Sequence, residues 1–181
     1  MNKNLIQPII VLALICLFVS GALSVVNSKT NPIIEKAAEE RAAAARNEVI
    51  PQATGFELLN IENLRGKNGI PSTITEIYKT KNNIGYIFMI TSAGYGGDIK
   101  LICGIDPDGI IIKTSALSFQ TETKGIATPV FENQHQSQYI GKDKNLNGVI
   151  AISGATISST AYKRGIQDAF TAFDIIMREK L

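Results

Sequence analysis

The sequence predicts an α+β fold: an antiparallel sheet of at least four strands, packed against a C-terminal helix and preceded by one membrane-spanning helix. Three observations lead to this prediction. Residues 5–26 form one uncharged apolar stretch. Alternating and apolar runs between residues 73 and 117 are separated by turn residues. Beyond residue 156, apolar residues recur at helical spacing. At 181 residues, the chain is long enough for one domain with appendages.

The stretch at residues 5–26 predicts a transmembrane anchor, which we place within residues 1–30. As a helix it would be about 33 Å long, close to the thickness of a hydrocarbon core. A cleavable signal peptide is the alternative, because the small residues at 21–24 resemble a cleavage region. The length of the apolar stretch favours a retained anchor.

Charge alone does not settle the orientation of this anchor. Lys3 precedes the span, whereas Lys29, Lys36, Arg41 and Arg46 follow it. The positive-inside rule would therefore place the following domain in the cytoplasm, although long soluble domains are translocated despite such charges.

Residues 31–50 predict a connecting helix rich in Ala, Glu and Arg. Asn31 would cap its start, and Pro32 suits the first turn. Pro51 would end it. The remaining residues, 51–181, then form the folded domain.

Four strand-like runs follow: residues 74–78, 84–90, 98–105 and 109–117. Asn82-Asn83 marks the turn between the first two runs, and Pro107-Asp108-Gly109 is a strong hairpin signal between the last two. Because the turns are short, we expect neighbouring runs to pair antiparallel.

Composition excludes several classes of function. A net charge of +2 without a dense basic patch argues against nucleic acid as a partner. Cys16 and Cys103 predict buried apolar fillers, and one histidine without a Cys-x-x-Cys motif gives no metal site. Acidic residues near Asp106 and at 143–148 are better explained as turns than as calcium loops. Electron-transfer chemistry would therefore require an organic cofactor.

The region around Ser153-Gly154-Ala155-Thr156 predicts a strand at residues 149–152, a tight turn and then a helix. A helix start presents free backbone N–H groups and the positive end of the helix dipole, which favours an anion such as phosphate. The alternative is that the hydroxylated residues only cap the helix. The predicted buried positions of the helix are Tyr162, Ile166, Ala169, Phe170, Phe173, Ile176 and Met177.

Two loops could lie near this turn. Residues 91–98 hold three glycines around Tyr95, which suits either a flexible connection or a close approach to a ligand. Residues 120–127 include Glu122 and Thr123 in a polar segment. His135 lies elsewhere, and we expect it at the surface.

The Ser153-Gly154-Ala155-Thr156 sequence resembles the flavinylation motif of the FMN-binding domain in the G subunit of the Rnf ion-translocating electron-transport complex. The C subunit of the sodium-pumping NADH:quinone reductase carries a similar domain. The resemblance implies that Thr156 bears FMN through a phosphoester bond. Three residues before Ser153, Ile150 stands where the family usually has Asp.

Two further segments carry the same resemblance. Gly-Tyr-Gly-Gly at residues 94–97 is similar to a family sequence that precedes a strand. Residues 120–127 resemble the family's His-x-Glu-Thr-Pro-Gly-Leu-Gly segment near the flavin. There Gln120, Lys124 and Ala127 replace His, Pro and Gly, and a glutamine cannot change its charge near neutral pH.

The resemblance implies a membrane-anchored electron-transfer protein with covalent FMN and no catalytic residues of its own. Gly154 and the amides that follow it would hold the phosphate, and Tyr95, Gly96, Glu122 and Thr123 would surround the ring system. The other residues expected to bind the cofactor are Ser153, Ala155 and Ser158. The implied partners are the other subunits of the complex, membrane lipid and, transiently, a flavin transferase. The flavin domain would lie on the extracytoplasmic side of the cytoplasmic membrane.

Two other interpretations remain open at this point. One is a component like the C subunit of the quinone reductase, and the other is an anchored binding module without a redox role. The sequence does not identify the coupling ion, Na⁺ or H⁺, or the immediate electron donor and acceptor.

Overall fold

The computed structural model describes residues 3–66, 69–119, 122 and 125–179. Its helices are α1 (Lys3–Val49), α2 (Asn133–Gln136) and α3 (Thr156–Glu179), and short 3₁₀ turns lie at Glu62–Leu64, Thr128–Phe131 and Ser137–Tyr139. Its strands are β1 (Phe56–Leu58), β2 (Ile74–Thr80), β3 (Tyr86–Ala93), β4 (Asp98–Ile105) and β5 (Ile111–Ser118).

The five strands form one antiparallel sheet in the order β1-β2-β3-β4-β5, so each strand pairs with its neighbour in sequence. This confirms the predicted α+β class. At the turn between β2 and β3, Asn83 has φ 55°. At the β4–β5 hairpin, Oδ1 of Asp106 accepts hydrogen bonds from the amides of Asp108 and Ile110. Asp106 thus closes the predicted turn with its side chain.

The two faces of the sheet carry separate apolar clusters, because side chains alternate along each strand. On one face, Leu101, Cys103 and Ile105 of β4 join the cluster that includes Tyr162, Ile166 and Phe170 of α3. On the other face, Ile102 packs in a smaller cluster with Ala42, Val49 and Ile50 at the end of α1. The sheet is therefore covered on one side by α3 and on the other by the last turns of α1.

Helix α1 is long and apolar enough to cross a membrane. It continues through Pro32, so the expected helix start at Asn31 is wrong; the Nδ2 of Asn31 instead bonds Oε1 of Glu35 within the helix. It ends at Val49, two residues before Pro51 as predicted. The chain divides into two compact units, Met1–Arg41 and Ala42–Leu181.

Two other expectations near the C-terminus are wrong. Residues 149–152 are irregular and do not form a strand, with Ile150 at 71% exposure. Met177 is 42% exposed, whereas the other six predicted apolar positions of α3 are buried. Strand β1 was not predicted, because three residues are too few to show an alternating pattern.

Candidate functional site

The first turn of α3 begins at Thr156, directly after Ala155. The carbonyl of Ala155 accepts the amide of Ser159 at 2.9 Å, which opens the helical hydrogen-bond pattern. Ala155 has no side-chain acceptor, so it cannot cap the helix. Because no carbonyl precedes them within the helix, the amides of residues 156–158 point outward from a positive helix end. This geometry favours an anion over the simple capping interpretation.

The turn before α3 brings the chain to this helix start. Gly154 has φ 83°, a left-handed conformation that favours glycine. The amide of Ala155 donates to the carbonyl of Ile152 at 3.1 Å, so this amide is already used within the turn. The side chains of Ser153 and Thr156 are exposed.

Glu122 joins the three predicted segments. Its Oε2 accepts a hydrogen bond from the hydroxyl of Ser158 at 2.6 Å, and its Oε1 accepts the amide of Gly96 at 3.1 Å. The side chain is buried, at 6% exposure. Hydrogen bonds to a carboxylate are stronger than neutral ones. One buried carboxylate therefore connects residues 91–98, which we call the glycine loop, with the first turn of α3. We call this arrangement the Glu122 junction.

The backbone of the glycine loop lies very close to the side chain of Glu122 at Gly94. A Cβ at Gly94 would collide with Oε1 of Glu122 and with the side chain of Ile99. Only glycine leaves room for the carboxylate at this position. The sequence left open whether this loop was a flexible connection or a close approach, and the structure shows a close approach to Glu122.

Side chains also hold the segment that precedes Gly154. The amide of Ile152 donates to Oγ of Ser159 at 3.0 Å, and the amide of Ile150 donates to Oε1 of Gln138 at 2.9 Å. These acceptors replace the strand partner that the sequence pattern had suggested. The buried hydroxyl of Ser92 donates to the carbonyl of Ala161 at 2.8 Å and ties β3 to the same part of α3.

Large apolar side chains stand exposed beside the residues of the junction. Tyr95 is 69% exposed next to Gly96, and Ile157 is 56% exposed next to Thr156. Ile126 is 58% exposed, four positions after Glu122. Exposed apolar groups near an anion site suit a ligand that has both an aromatic and a charged part.

The structure thus brings Gly96, Glu122 and Ser158 into direct contact and leaves Thr156 exposed at the same helix start. The predicted site residue Thr123, together with the substituted positions Gln120 and Lys124, lies outside the described residues.

The expectation of a surface position for His135 is wrong: this residue is 1% exposed. Its Nδ1 lies 2.9 Å from the carbonyl of Val130, and its ring makes edge contacts with Tyr139 and Tyr162. Burial lowers the pKa of His135. The spacing of His135 and Tyr139, four residues apart, was the signal in the sequence for a shared buried face.

Burial also keeps the nearby ionisable groups neutral. It raises the pKa of Tyr139, Tyr162 and the Cys103 thiol. Cys103 is buried as expected, whereas Cys16 is exposed on α1. Across residues 3–66, 69–119, 122 and 125–179, no group of three or more His, Cys, Asp and Glu residues could hold a metal ion.

Residues 94–171 match the FMN-binding domain family. The match begins at the glycine loop and includes both Glu122 and Thr156. The chain is therefore similar to FMN-binding domains over the part that contains the Glu122 junction.

Comparison with individual proteins relates the chain to one kind of subunit. It is 27% identical to the G subunit of the Na⁺-translocating ferredoxin:NAD⁺ oxidoreductase complex of Acetobacterium woodii, over 87% of this chain and 86% of that protein. It is 33% identical to the G subunit of the proton-translocating ferredoxin:NAD⁺ oxidoreductase complex of Clostridium ljungdahlii, over 50% of this chain and 54% of that protein. It is 25% identical to the G subunit of the ion-translocating oxidoreductase complex of Methanosarcina acetivorans, over 93% and 94% respectively. These similarities confirm the resemblance to the G subunit of the Rnf complex.

Proposed function

We propose that this chain is the membrane-anchored, FMN-carrying electron-transfer subunit of an ion-translocating ferredoxin:NAD oxidoreductase complex, with FMN attached to Thr156. The observation that carries the proposal is the exposed Thr156 hydroxyl at the start of α3, within the FMN-binding match and next to the Glu122 junction. The similarity to the G subunits of several such complexes supports the assignment.

The residues at the start of α3 fit a phosphate ester. The amides of residues 156–158 can donate to phosphate oxygens, and the helix dipole favours the negative charge. The amide of Ala155 donates within its own turn, so Ala155 would contribute close approach through its small side chain and not a hydrogen bond. Ser153 and Gly154 lie in the exposed turn directly before this site.

Attachment would be a phosphoryl-type substitution on FAD. The Oγ of Thr156 forms a bond to the phosphorus of the FMN half, the bond from that phosphorus to the bridging oxygen breaks, and AMP leaves with that oxygen while the hydroxyl proton is lost. A threonine hydroxyl is a weak nucleophile without an adjacent base. A separate flavin transferase would therefore supply the activation, which agrees with the open position of Thr156.

The Glu122 junction would position the flavin carrier. Glu122 and Ser158 fix the first turn of α3, and the same carboxylate fixes Gly96 beside Tyr95. FMN supplies one- and two-electron redox chemistry when it is bound, whereas the surrounding protein sets its orientation and electrostatics. The exposed side chains of Tyr95 and Ile157 would lie beside the ring and leave it accessible to a partner.

The remaining parts of the proposal concern the membrane. Helix α1 would remain as a single span in contact with lipid, and the flavin domain would lie outside the cytoplasm. Introducing cysteine by Asp108→Cys, at an exposed turn, tests the side: a membrane-impermeant maleimide should label it in intact cells that lack an outer barrier. Labelling that requires membrane disruption would contradict the assignment. The parent chain, with Cys103 buried and Cys16 within the apolar stretch at residues 5–26, measures the background labelling.

Intact mass measurement of the chain purified from its native membrane tests the attachment. We expect a mass increase of one FMN less one water, a fluorescent band in denaturing gels, and loss of both in Thr156→Val. Thr160→Val is the matched control, because Thr160 is also exposed on α3, one turn further along. An unmodified native chain would refute the covalent carrier and would favour a binding module without a redox role. Flavin retained by Thr156→Val would place the bond elsewhere.

A further inference from the structure

A cavity lies between α3 and the segment that contains α2, and none of Gly96, Glu122 and Ser158 lines it. Its volume is about 340 Å³, which lies within the range of pockets that hold small organic ligands. Its lining includes His135, Tyr139, Ile150, Thr160, Lys163 and Arg164. Thr156 is not among the residues that line this cavity.

Two of the residues that line the cavity contain buried polar atoms. His135 is 1% exposed and Tyr139 is fully buried. Within the described part of the chain, Nε2 of His135 and the hydroxyl of Tyr139 have no hydrogen-bond partner. Leaving such a group without a hydrogen-bond partner destabilises the folded chain. Both atoms would therefore gain from a polar ligand.

The hydrogen bond at Nδ1 of His135 determines whether a ligand must present a donor or an acceptor to Nε2. The carbonyl of Val130 can only accept, so Nδ1 of His135 carries the proton. In the neutral ring that burial favours, Nε2 is then an acceptor. A ligand must therefore bring an O–H or N–H donor to Nε2, while the Tyr139 hydroxyl can donate to the ligand.

The charge of the cavity is positive. Lys163 and Arg164 contribute two cations from adjacent positions on α3, and no Asp or Glu is among the described residues that line it. Thr160 adds a hydroxyl on the same helix. Two neighbouring cations suit a phosphate group, and the buried acceptor suits a hydroxyl or amino group on the same molecule.

We infer that this cavity is a binding site for a small organic phosphate, separate from the flavin at Thr156. Lys163 and Arg164 bind the phosphate, and Nε2 of His135 accepts a hydrogen bond from the organic part. The apolar side chain of Ile150, which is 71% exposed, borders the cavity and can cover the ligand. Binding at this cavity does not depend on the proposed redox function.

The single histidine of the chain provides a direct test. The full-length chain is labelled with ¹⁵N-histidine in nanodiscs of zwitterionic lipid, and its ring resonances are recorded with AMP, glucose 6-phosphate, adenosine or inorganic phosphate. We expect the Nε2 resonance to move and saturate with at least one of the two organic phosphates, and to move less with adenosine or inorganic phosphate at equal concentration. No response to either organic phosphate at millimolar concentration would overturn the inference.

Lys163→Gln should weaken the binding of the responding phosphate roughly tenfold, since it removes one charge-assisted contact. Arg178→Gln is the matched control, because it removes one exposed cation from the last turn of α3, away from the cavity. An unchanged histidine spectrum without ligand shows that each variant is folded. Equal weakening in both variants would overturn the assignment of Lys163. A histidine resonance that moves on flavinylation alone, with no further response to phosphates, would show that the flavin itself fills the cavity.

Discussion

The two sides of the first turns of α3 carry the same chemical group in opposite environments. On the inner side, Ser158 and Ser159 are buried, and each hydroxyl takes part in a hydrogen bond, with Glu122 and with the amide of Ile152. On the outer side, Thr156 and Thr160 are exposed.

This difference separates hydroxyls that hold the structure together from hydroxyls that are open to chemical modification. The inner hydroxyls link α3 to distant segments and contribute to stability, whereas an outer hydroxyl can be modified without breaking a buried contact. The predictions below compare variants of the inner and outer sides through the free energy of unfolding, measured by denaturant titration of the detergent-solubilised chain with tyrosine fluorescence.

The largest effect is expected from Glu122→Gln. The amide group of glutamine is neutral, so the hydrogen bonds with Ser158 and Gly96 lose the strength that the charged carboxylate gives them. We expect a loss of about 3 kcal/mol. Glu132→Gln, at an exposed carboxylate, is the control and should change stability little. Equal effects in the two variants would show that the junction contributes no specific stabilisation.

Gly94→Ala should cost about 2 kcal/mol, because the new Cβ would force Glu122 or Ile99 to move. A double-mutant cycle with Glu122→Ala, which removes the clashing atoms, measures how much of this cost comes from the side chain of residue 122. Strict additivity of the two changes would contradict a direct clash between residue 94 and residue 122.

Ser158→Ala should cost roughly 1.5 kcal/mol, since Glu122 keeps the Gly96 amide and loses one donor. Ser137→Ala serves as the control, because its exposed hydroxyl bonds only the nearby carbonyl of Gln134. If Ser158→Ala is as stable as the parent chain, the 2.6 Å contact has no energetic weight.

Thr156→Val should change the free energy of unfolding by less than about 0.5 kcal/mol, as is usual for exposed substitutions, while it removes all covalent flavin. Complete loss of covalent flavin with almost no change in the free energy of unfolding would distinguish the outer hydroxyls of α3 from the inner ones most clearly. A destabilisation comparable to that of Ser158→Ala would show that Thr156 has a structural role.

The sequence predicted the elements whose patterns are local. Strand β4 was predicted with its observed ends, and the C-terminal helix followed from the spacing of Tyr162, Ile166 and Phe170. The start of α3 was also predicted, because small hydroxylated residues before a helical pattern mark a helix start.

The parts that were not predicted depend on specific side-chain contacts and not on a repeating hydrophobic pattern. The apolar residues at 149–152 resemble a strand, but the side chains of Gln138 and Ser159 satisfy the amides there. His135 is a polar residue in a polar segment, and only its packing against Tyr139 and Tyr162 buries it. The spacing of residues in the sequence also did not show that the carboxylate of Glu122 contacts both the glycine loop and the first turn of α3.

The neighbour-to-neighbour strand order has a consequence for the timing of cofactor loading. Each hairpin can close as soon as its own residues are made, whereas the contacts that fix the start of α3 span 36 residues from Glu122 to Ser158 and 69 from Ser92 to Ala161. Thr156, the proposed acceptor, thus takes its final position only after the last helix has been synthesised and docked. A flavin transferase that recognises this arrangement would act on finished chains and leave incomplete ones without a flavin.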